Sequence, residues 1–107
     1  MTAQPDSFAI APEALAEFCR RWKITELAIF GSALRDDFGP QSDFDLLVTF
    51  APDADWSLFD HARMEQQLKA FVNRELDLVS RRAVERSANW IRRRSILETA
   101  RVIYGNR

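Results

Sequence analysis

The stretch GSALRDDFGPQSDFDLLVTF, residues 31–50, decides how this 107-residue chain folds. It opens with Gly31 and Ser32, directly after the apolar run of residues 27–30. Ten residues separate Ser32 from Asp43, and Asp43-Phe44-Asp45 then leads into a second apolar run that closes at Phe50. Two such runs, bounded by a glycine and a pair of acids, indicate two strands whose ends carry ligand-binding groups.

The two acids predict a metal site. Side chains alternate between the faces of a strand, so Asp43 and Asp45 point to the same side. Adjacent carboxylates repel unless a cation lies between them, and Mg²⁺ takes one or two carboxylates while keeping positions for water and phosphate. A third acid, Asp77, lies in a later apolar run, residues 76–79. We expect that run to be a strand at least half buried, where an unpaired carboxylate is costly.

With Asp77 on a neighbouring strand, the three acids would hold two metal ions about 3.5–4 Å apart, as in-line phosphoryl displacement requires. Gly31 lets the backbone approach a ligand closely, and a helix that begins at Ser32 would favour a phosphate at its free N–H groups. The pattern therefore indicates nucleotidyl transfer. Each piece alone has a simpler interpretation: a turn or cap, a solvated strand start, or an acid on an exposed face.

A Gly-Ser pair, ten residues, Asp-x-Asp and a hydrophobic strand resemble the signature of the polymerase-β-like nucleotidyltransferase superfamily. The segments FGSALRDDF and SDFDLLVTF resemble its minimal members, the antitoxin halves of two-gene modules whose partners are HEPN-type toxins. The resemblance covers residues 27–80 well and the ending IRRRSILETARVIYG, residues 91–105, fairly well. It implies a core of the polymerase-β-like nucleotidyltransferase fold.

The resemblance also implies roles for individual residues. Asp43, Asp45 and Asp77 are the expected catalytic and metal-binding residues, with two Mg²⁺ ions, and Asp77 is expected to accept the proton of the attacking hydroxyl. Gly31 and Ser32 are expected to hold the triphosphate, with Ser32 near its β- and γ-phosphates.

Arg35 is the remaining nucleotide-binding candidate, because it resembles an arginine commonly found soon after Gly-Ser in this family. It either contacts phosphate or pairs with Asp36 or Asp37 at the surface, and the sequence leaves both open. Relatives often carry glycine where this chain has Asp36.

The function that the resemblance implies is Mg²⁺-dependent transfer of AMP from ATP to a HEPN-type toxin, in a hetero-oligomer, by the antitoxin of a toxin–antitoxin pair. Larger relatives add domains that recognise their acceptors, so we expect the partner itself to present the acceptor group. Two alternatives stay open: an antitoxin that neutralises its partner by contact alone, and nucleotidyl transfer to RNA. An aminoglycoside acceptor is disfavoured, because we find no second domain to shape a drug pocket.

Composition fits a single domain over residues 1–107, with 1–11 as a loose lead-in. The apolar fraction of 47% argues against global disorder. Net charge is −1, but arginine dominates from Arg74 onward, which suits a triphosphate or an anionic partner. No apolar run approaches the roughly 18 residues that span a bilayer, and no signal-peptide pattern precedes Pro12, so we expect a cytoplasmic protein.

We predict an α/β (α+β) fold with a small mixed sheet of about three to four strands flanked by about four helices. The predicted strands are about 26–30, 44–50 and 75–80, with 102–104 as a short extra strand or a tail. The predicted helices start at Pro12, run from a cap at Asp55 or Ser57 to about Asn73, and run from 89 or 90 to Ala100, with a helical turn within 81–88. The crossover helix would make the second and third strands parallel.

Helical spacing predicts which side chains pack. In the first helix the apolar face is Leu15, Phe18, Cys19 and Trp22. In the long helix it is Leu58, Ala62, Leu68, Phe71 and Val72, with Phe59 and Met64 to one side. Cys19 is expected to be a packed thiol and His61 a surface or boundary residue. Residues 92–94, three arginines, form either a solvated face or a docking surface for a partner or RNA.

Overall fold

A mixed four-stranded sheet with helices on both faces forms the fold in the computed structural model, which describes residues 10–31, 44–73 and 75–105. The elements in chain order are α1 (Pro12–Arg21), β1 (Ile24–Phe30), β2 (Phe44–Phe50), α2 (Leu58–Val72), β3 (Leu76–Ser80), α3 (Arg81–Glu85), α4 (Trp90–Thr99) and β4 (Arg101–Gly105). The predicted α/β (α+β) class, the mixed sheet and the approximate numbers of strands and helices are confirmed.

The strand order across the sheet is β3-β2-β1-β4. β1 runs antiparallel to both of its neighbours, β2 and β4, whereas β2 and β3 are parallel. The parallel pairing follows from α2, which carries the chain back across the sheet between the two strands, and it confirms the prediction. Residues 102–104 belong to β4, so they form a strand of the sheet and not a tail.

Apolar residues cover both faces of the sheet, as the strand sequences predict. The larger core lies against α1 and α2 and includes Phe44, Leu46 and Leu68, which are fully buried. The smaller core lies against α3 and α4 and includes Leu47 and Ile96. Because successive strand residues alternate between these two cores, each strand is fixed in register by burial on both sides.

The α1 helix forms as predicted. Pro12 occupies its first turn, where its missing N–H has no intrahelical partner to lose. All four residues of the predicted apolar face are buried, namely Leu15, Phe18, Cys19 and Trp22. Ile10 is only 6% exposed and packs into the same core, so the predicted loose lead-in does not extend to Ile10. Residues 1–9 lie outside the described ranges.

The α2 helix begins where predicted but buries a different face. Ser57 is its cap, because the Ser57 hydroxyl accepts from the Asp60 N–H and the Asp60 carboxylate accepts from the Ser57 N–H. Met64 is fully buried, whereas Leu58 and Phe59 are 88% and 85% exposed. The predicted apolar face was therefore wrong at Leu58, Ala62 and Met64. Phe71 is 43% exposed, but its ring packs edge-on against Phe18 with the centroids 6.2 Å apart.

Two polar side chains of α2 explain this orientation. The Leu78 N–H of edge strand β3 donates to Glu65 Oε2 at 3.0 Å, and His61 Nε2 lies 2.6 Å from the Leu78 carbonyl oxygen. Main-chain groups on an edge need partners when a helix covers them. His61, Glu65 and Leu68 are three or four residues apart and share one side of the helix, so α2 turns that side towards β3. The prediction that His61 is a boundary residue is confirmed by its partial burial.

Residues 81–88, predicted as a loop with a helical turn, contain the short helix α3, which Ser80 caps by accepting from the Ala83 N–H.

Within the described ranges, no helix combines the length and apolarity needed to cross a membrane.

Candidate active site

One end of the sheet collects the residues that the sequence marked as functional. Gly31 directly follows β1, Asp45 is the second residue of β2, and Asp77 is the second residue of β3. β1 ends at this point while β2 and β3 begin there, because β1 runs antiparallel to β2 and β2 runs parallel to β3. The fold thus brings together three residues that are far apart in the sequence.

Asp45 and Asp77 are direct neighbours across the two parallel strands. Residues paired in this way lie about 4.8 Å apart in backbone and send their side chains to the same face. Asp45 shares its face with Leu47 and Asp77 shares its face with Val79, and both apolar residues pack in the smaller core. The two carboxylates therefore lie side by side at the sheet end, on the face that α3 and α4 cover.

Gly31 is required by the position of the Asp45 carboxylate. Its φ is +75°, a conformation that side-chain-bearing residues rarely adopt. A Cβ at Gly31 would also collide with Asp45 Oδ2 and would lie only 3.1 Å from Asp45 Cγ. The glycine therefore lets the β1 terminus and the Asp45 carboxylate approach more closely than any other residue would allow.

The strand that carries Asp77 is half buried as predicted, but Asp77 itself is exposed, which corrects the expectation of a buried carboxylate. Leu76 and Leu78 are buried at 6% and 4% exposure, but they point into the α1–α2 core, and Asp77 lies on the opposite face at the sheet end. Burial of an isolated carboxylate is therefore not the reason to expect a metal at Asp77. The reason is its in-register position beside Asp45.

Three of the predicted site residues, Ser32, Arg35 and Asp43, lie outside the described ranges. Among residues 10–31, 44–73 and 75–105 there is no group of three or more acid, histidine or cysteine side chains placed to hold a metal. Asp45 and Asp77 do supply two adjacent hard oxygen ligands, and Mg²⁺ requires no more than one or two carboxylates from the protein. The residues present therefore fit Mg²⁺.

A cleft of about 880 Å³ opens beside Gly31. One wall is the end of β1, at Phe30 and Gly31, and the opposite wall is one side of α4. The residues of that side, together with the first residue of β4, are Asn89, Ile91, Arg92, Ser95, Ile96, Thr99 and Arg101. The sequence did not predict this wall, although 92, 95 or 96, and 99 have the spacing of one helical face.

The structure separates the three consecutive arginines of α4. Arg93 donates to the carbonyl oxygens of Glu85 and Ser87, at 3.4 and 3.1 Å, and so ties α4 to the end of α3. Arg94 pairs with Glu98 one turn along the helix, at 2.9 Å on the exposed surface. Arg92 borders the cleft. Two of the three arginines therefore have intramolecular partners, and the third faces the cleft.

Cys19 is a structural residue of the core. Its side chain is fully buried in the α1–α2 core, and burial raises the pKa of the thiol to about 12. A thiol that stays protonated at neutral pH is a poor nucleophile. The prediction of a packed thiol is confirmed.

A glycine at the end of β1 beside two in-register acids is the arrangement that the sequence predicted for nucleotidyl transfer. A family model described as a nucleotidyltransferase domain matches residues 12–103. The chain belongs to this nucleotidyltransferase domain family, and it is a nucleotidyltransferase by that membership.

Solved structures and a curated relative agree with this assignment. A structure described as a "putative minimal nucleotidyltransferase" is 33% identical, with a TM-score of 0.63, and the match covers 82% of this chain and 84% of that chain. A protein of Methanocaldococcus jannaschii named "Putative protein adenylyltransferase MJ0604" is 27% identical over 84 residues, which is 78% of this chain and 82% of the relative. The resemblance to minimal nucleotidyltransferases is confirmed.

A third comparison is with a toxin–antitoxin complex. In the structure of the tri-AMPylated HEPN toxin of Shewanella oneidensis in complex with MNT antitoxin, the matching chain has a TM-score of 0.58 and 20% identity. The match covers 88% of this chain and 69% of that chain. At this identity the likeness establishes the shared fold.

Proposed function

We propose that the chain transfers AMP from ATP, in the presence of Mg²⁺, to a HEPN-type toxin and thereby acts as its antitoxin. The observation that carries the proposal is the in-register pair Asp45 and Asp77 beside the glycine that ends β1. The acceptor is suggested by the AMPylated HEPN toxin bound to the structural neighbour from Shewanella oneidensis. The name of the Methanocaldococcus jannaschii relative points to the same reaction.

Each residue has a defined part in the proposed reaction. Asp43, Asp45 and Asp77 would hold two Mg²⁺ ions, which when bound neutralise charge on the triphosphate. Gly31 and Ser32 would hold the triphosphate at the β1 terminus. Gly31 would do so by admitting the Asp45 carboxylate beside the phosphates, and Ser32 as the contact of the β- and γ-phosphates. Arg35 remains a candidate phosphate contact. Because the proposed reaction needs both ATP and a toxin partner, we place the protein in the cytoplasm.

The exposure of Asp77 suits the role of a proton acceptor. An acceptor hydroxyl on another protein must reach the α-phosphate from solvent, and Asp77 is open to solvent at the same sheet end as Gly31. In the proposed step the hydroxyl oxygen forms a bond to the α-phosphorus while the bond from that phosphorus to the bridging oxygen breaks. Pyrophosphate leaves, and the hydroxyl proton passes to the Asp77 carboxylate.

The test is transfer of label from ATP carrying ³²P at the α-phosphate. The purified chain is incubated with Mg²⁺ and its HEPN-type partner, and the products are separated into protein and RNA. We expect label on the partner protein, none when the label is at the γ-phosphate, and none with the Asp43→Asn/Asp45→Asn variant. Asp53→Asn is the matched control, because Asp53 is an exposed acid paired with Lys23 away from the site.

Three other outcomes would contradict the proposal. Label on RNA would retain the enzyme and replace the acceptor. Silencing of the toxin without label on any molecule would identify a contact antitoxin. If the Asp43→Asn/Asp45→Asn variant transferred as much label as the unaltered chain, Asp43 and Asp45 would not belong to the site of transfer.

A further inference from the structure

The cleft wall formed by α4 carries a cation with no assigned role. Arg93 and Arg94 have intramolecular partners, as described above, whereas the guanidinium of Arg92 makes no hydrogen bond or ion pair with any residue in the described part of the chain. The backbone N–H of Arg92, in contrast, has a partner, because it donates to Asn89 Oδ1 at 3.1 Å within the helix cap. The backbone of Arg92 is therefore anchored while its side chain remains exposed.

The position of Arg92 is defined by two hollows that it borders. One is the cleft with Gly31, and the other is a smaller hollow of about 150 Å³ between α3 and α4 that includes Val79 of β3. A residue that borders both lies above the sheet between the end of β1 and β3. This is the face, and the region of the sheet, where Asp45 and Asp77 sit side by side.

We infer that Arg92 is a polyphosphate-binding residue of this cleft, and that its guanidinium contacts the β- or γ-phosphate of the nucleotide. The inference rests on the proposed function for the identity of the nucleotide. A triphosphate brings several negative charges next to a pair of carboxylates, so a cation on the opposite wall lowers the repulsion. Arginine suits this place because its planar fork donates two parallel hydrogen bonds to phosphate oxygens.

The charge pattern around the cleft favours phosphate over a carboxylate-bearing peptide as the ligand of Arg92. Phe30 and Gly31 form the facing wall, and the Asp45 carboxylate lies against Gly31. A ligand between the walls therefore meets carboxylate oxygens on one side and the Arg92 cation on the other, which suits a Mg²⁺-bound polyphosphate. A nucleotide triphosphate spans both walls, since its α-phosphate belongs near the acids and its terminal phosphates extend away from them. The side chain at position 92 therefore distinguishes ATP from AMP.

The experiment compares the binding of two nucleotides by isothermal titration calorimetry with Mg²⁺ present. The first is α,β-methylene-ATP, which cannot donate AMP, and the second is AMP. We expect Arg92→Ala to raise the Kd for the triphosphate analogue roughly 10- to 100-fold, as expected for a charged hydrogen-bonded pair, and to leave the Kd for AMP within about 2-fold. Arg92→Lys keeps the charge and should recover part of the loss.

Arg94→Ala is the matched control, because it removes an arginine from the same helix that pairs only with Glu98 at the surface. Equal triphosphate affinity of Arg92→Ala and the unaltered chain would overturn the inference, as would a parallel loss for AMP. Absence of any triphosphate binding by the unaltered chain would overturn it too. Normal binding with the Arg92 dependence, but without AMP transfer to a partner, would instead overturn the proposed function and leave the phosphate site standing.

Discussion

Gly31→Ala is the substitution that most directly tests the arrangement of the active site. Two effects act together at this position. The backbone at residue 31 has a φ of +75°, which alanine disfavours. The added methyl group would also occupy the space of the Asp45 carboxylate, 3.1 Å from Asp45 Cγ. The side chain of Asp45 must rotate away for the chain to fold, because the strand backbones on either side are fixed by pairing.

The magnitude follows from these two effects. A left-handed conformation costs a residue with a Cβ about 1–2 kcal/mol. For a domain of this size, each kcal/mol lowers the midpoint of thermal unfolding by about 4–8 °C. We therefore expect a fall of roughly 4–16 °C in Tm. The displaced carboxylate should have a larger effect on catalysis, since a misplacement of about 1 Å can cost about 100-fold in rate.

Gly105→Ala provides the matched control at the opposite end of the sheet. Its φ is +119°, and a Cβ there would lie 2.7 Å from the Thr25 carbonyl oxygen and 3.0 Å from Glu26 Cα. Both are backbone atoms that cannot rotate away. Gly105→Ala should therefore cost at least as much stability as Gly31→Ala, while the rate of AMP transfer per folded molecule stays unchanged.

The assay is transfer of ³²P-AMP at a temperature below the Tm of both variants, with Tm measured by circular dichroism. We expect opposite rankings: Gly105→Ala is the less stable variant and Gly31→Ala the less active one. A Gly31→Ala protein that transfers AMP as fast as the unaltered chain would refute the role given to this contact.

The remaining predictions concern the acid pair, the orientation of α2 and the buried thiol. Asp77→Asn should change the free energy of unfolding by no more than about 0.5 kcal/mol, because Asp77 is exposed, yet lower AMP transfer by about 100-fold or more, as urea titration and label transfer will show. Leu68→Ala should cost about 2–5 kcal/mol in urea titration and Leu58→Ala less than about 0.5 kcal/mol, and similar losses would contradict the orientation of α2. Cys19 should resist a thiol reagent at pH 8 until the chain unfolds, because burial holds its pKa at about 12. Since that pKa lies above the ordinary 9.0, the stability that the thiol contributes is complete below pH 9 and is lost as pH rises towards 12.

The sheet was predictable from two features of the sequence, the bounded apolar runs and the length of the segments between them. The run from Phe44 to Phe50 is bounded by acids and a proline-containing loop, and the strand has those bounds in the structure. The parallel pairing followed from the length of the segment between Phe50 and Leu76, which is long enough for a crossover helix. The acid within the apolar run 76–79 marked Asp77 as a candidate, but its exact register beside Asp45 came only from the structure.

Orientation of α2 was not predictable from its apolar residues. Leu58 and Phe59 in its first turn are exposed. The contact of α2 with β3 uses the polar side chains of His61 and Glu65. Hydrophobic spacing gives no weight to a hydrogen bond with a strand edge, so it included the exposed Leu58 and left the buried Met64 to one side, although it placed Leu68 correctly. The wall of the cleft could not be predicted for the same reason, because a hydrophobic pattern assigns a charged residue such as Arg92 to the solvent.

The cover that α2 gives to Leu78 has a consequence for assembly. A bare edge strand recruits other chains through its main chain, either in aggregates or in complexes built by strand addition. The Leu78 amide and carbonyl are already engaged by Glu65 and His61, so the centre of β3 offers no template for another strand. A protein that binds along this side must do so through side chains and cannot extend the sheet at that point.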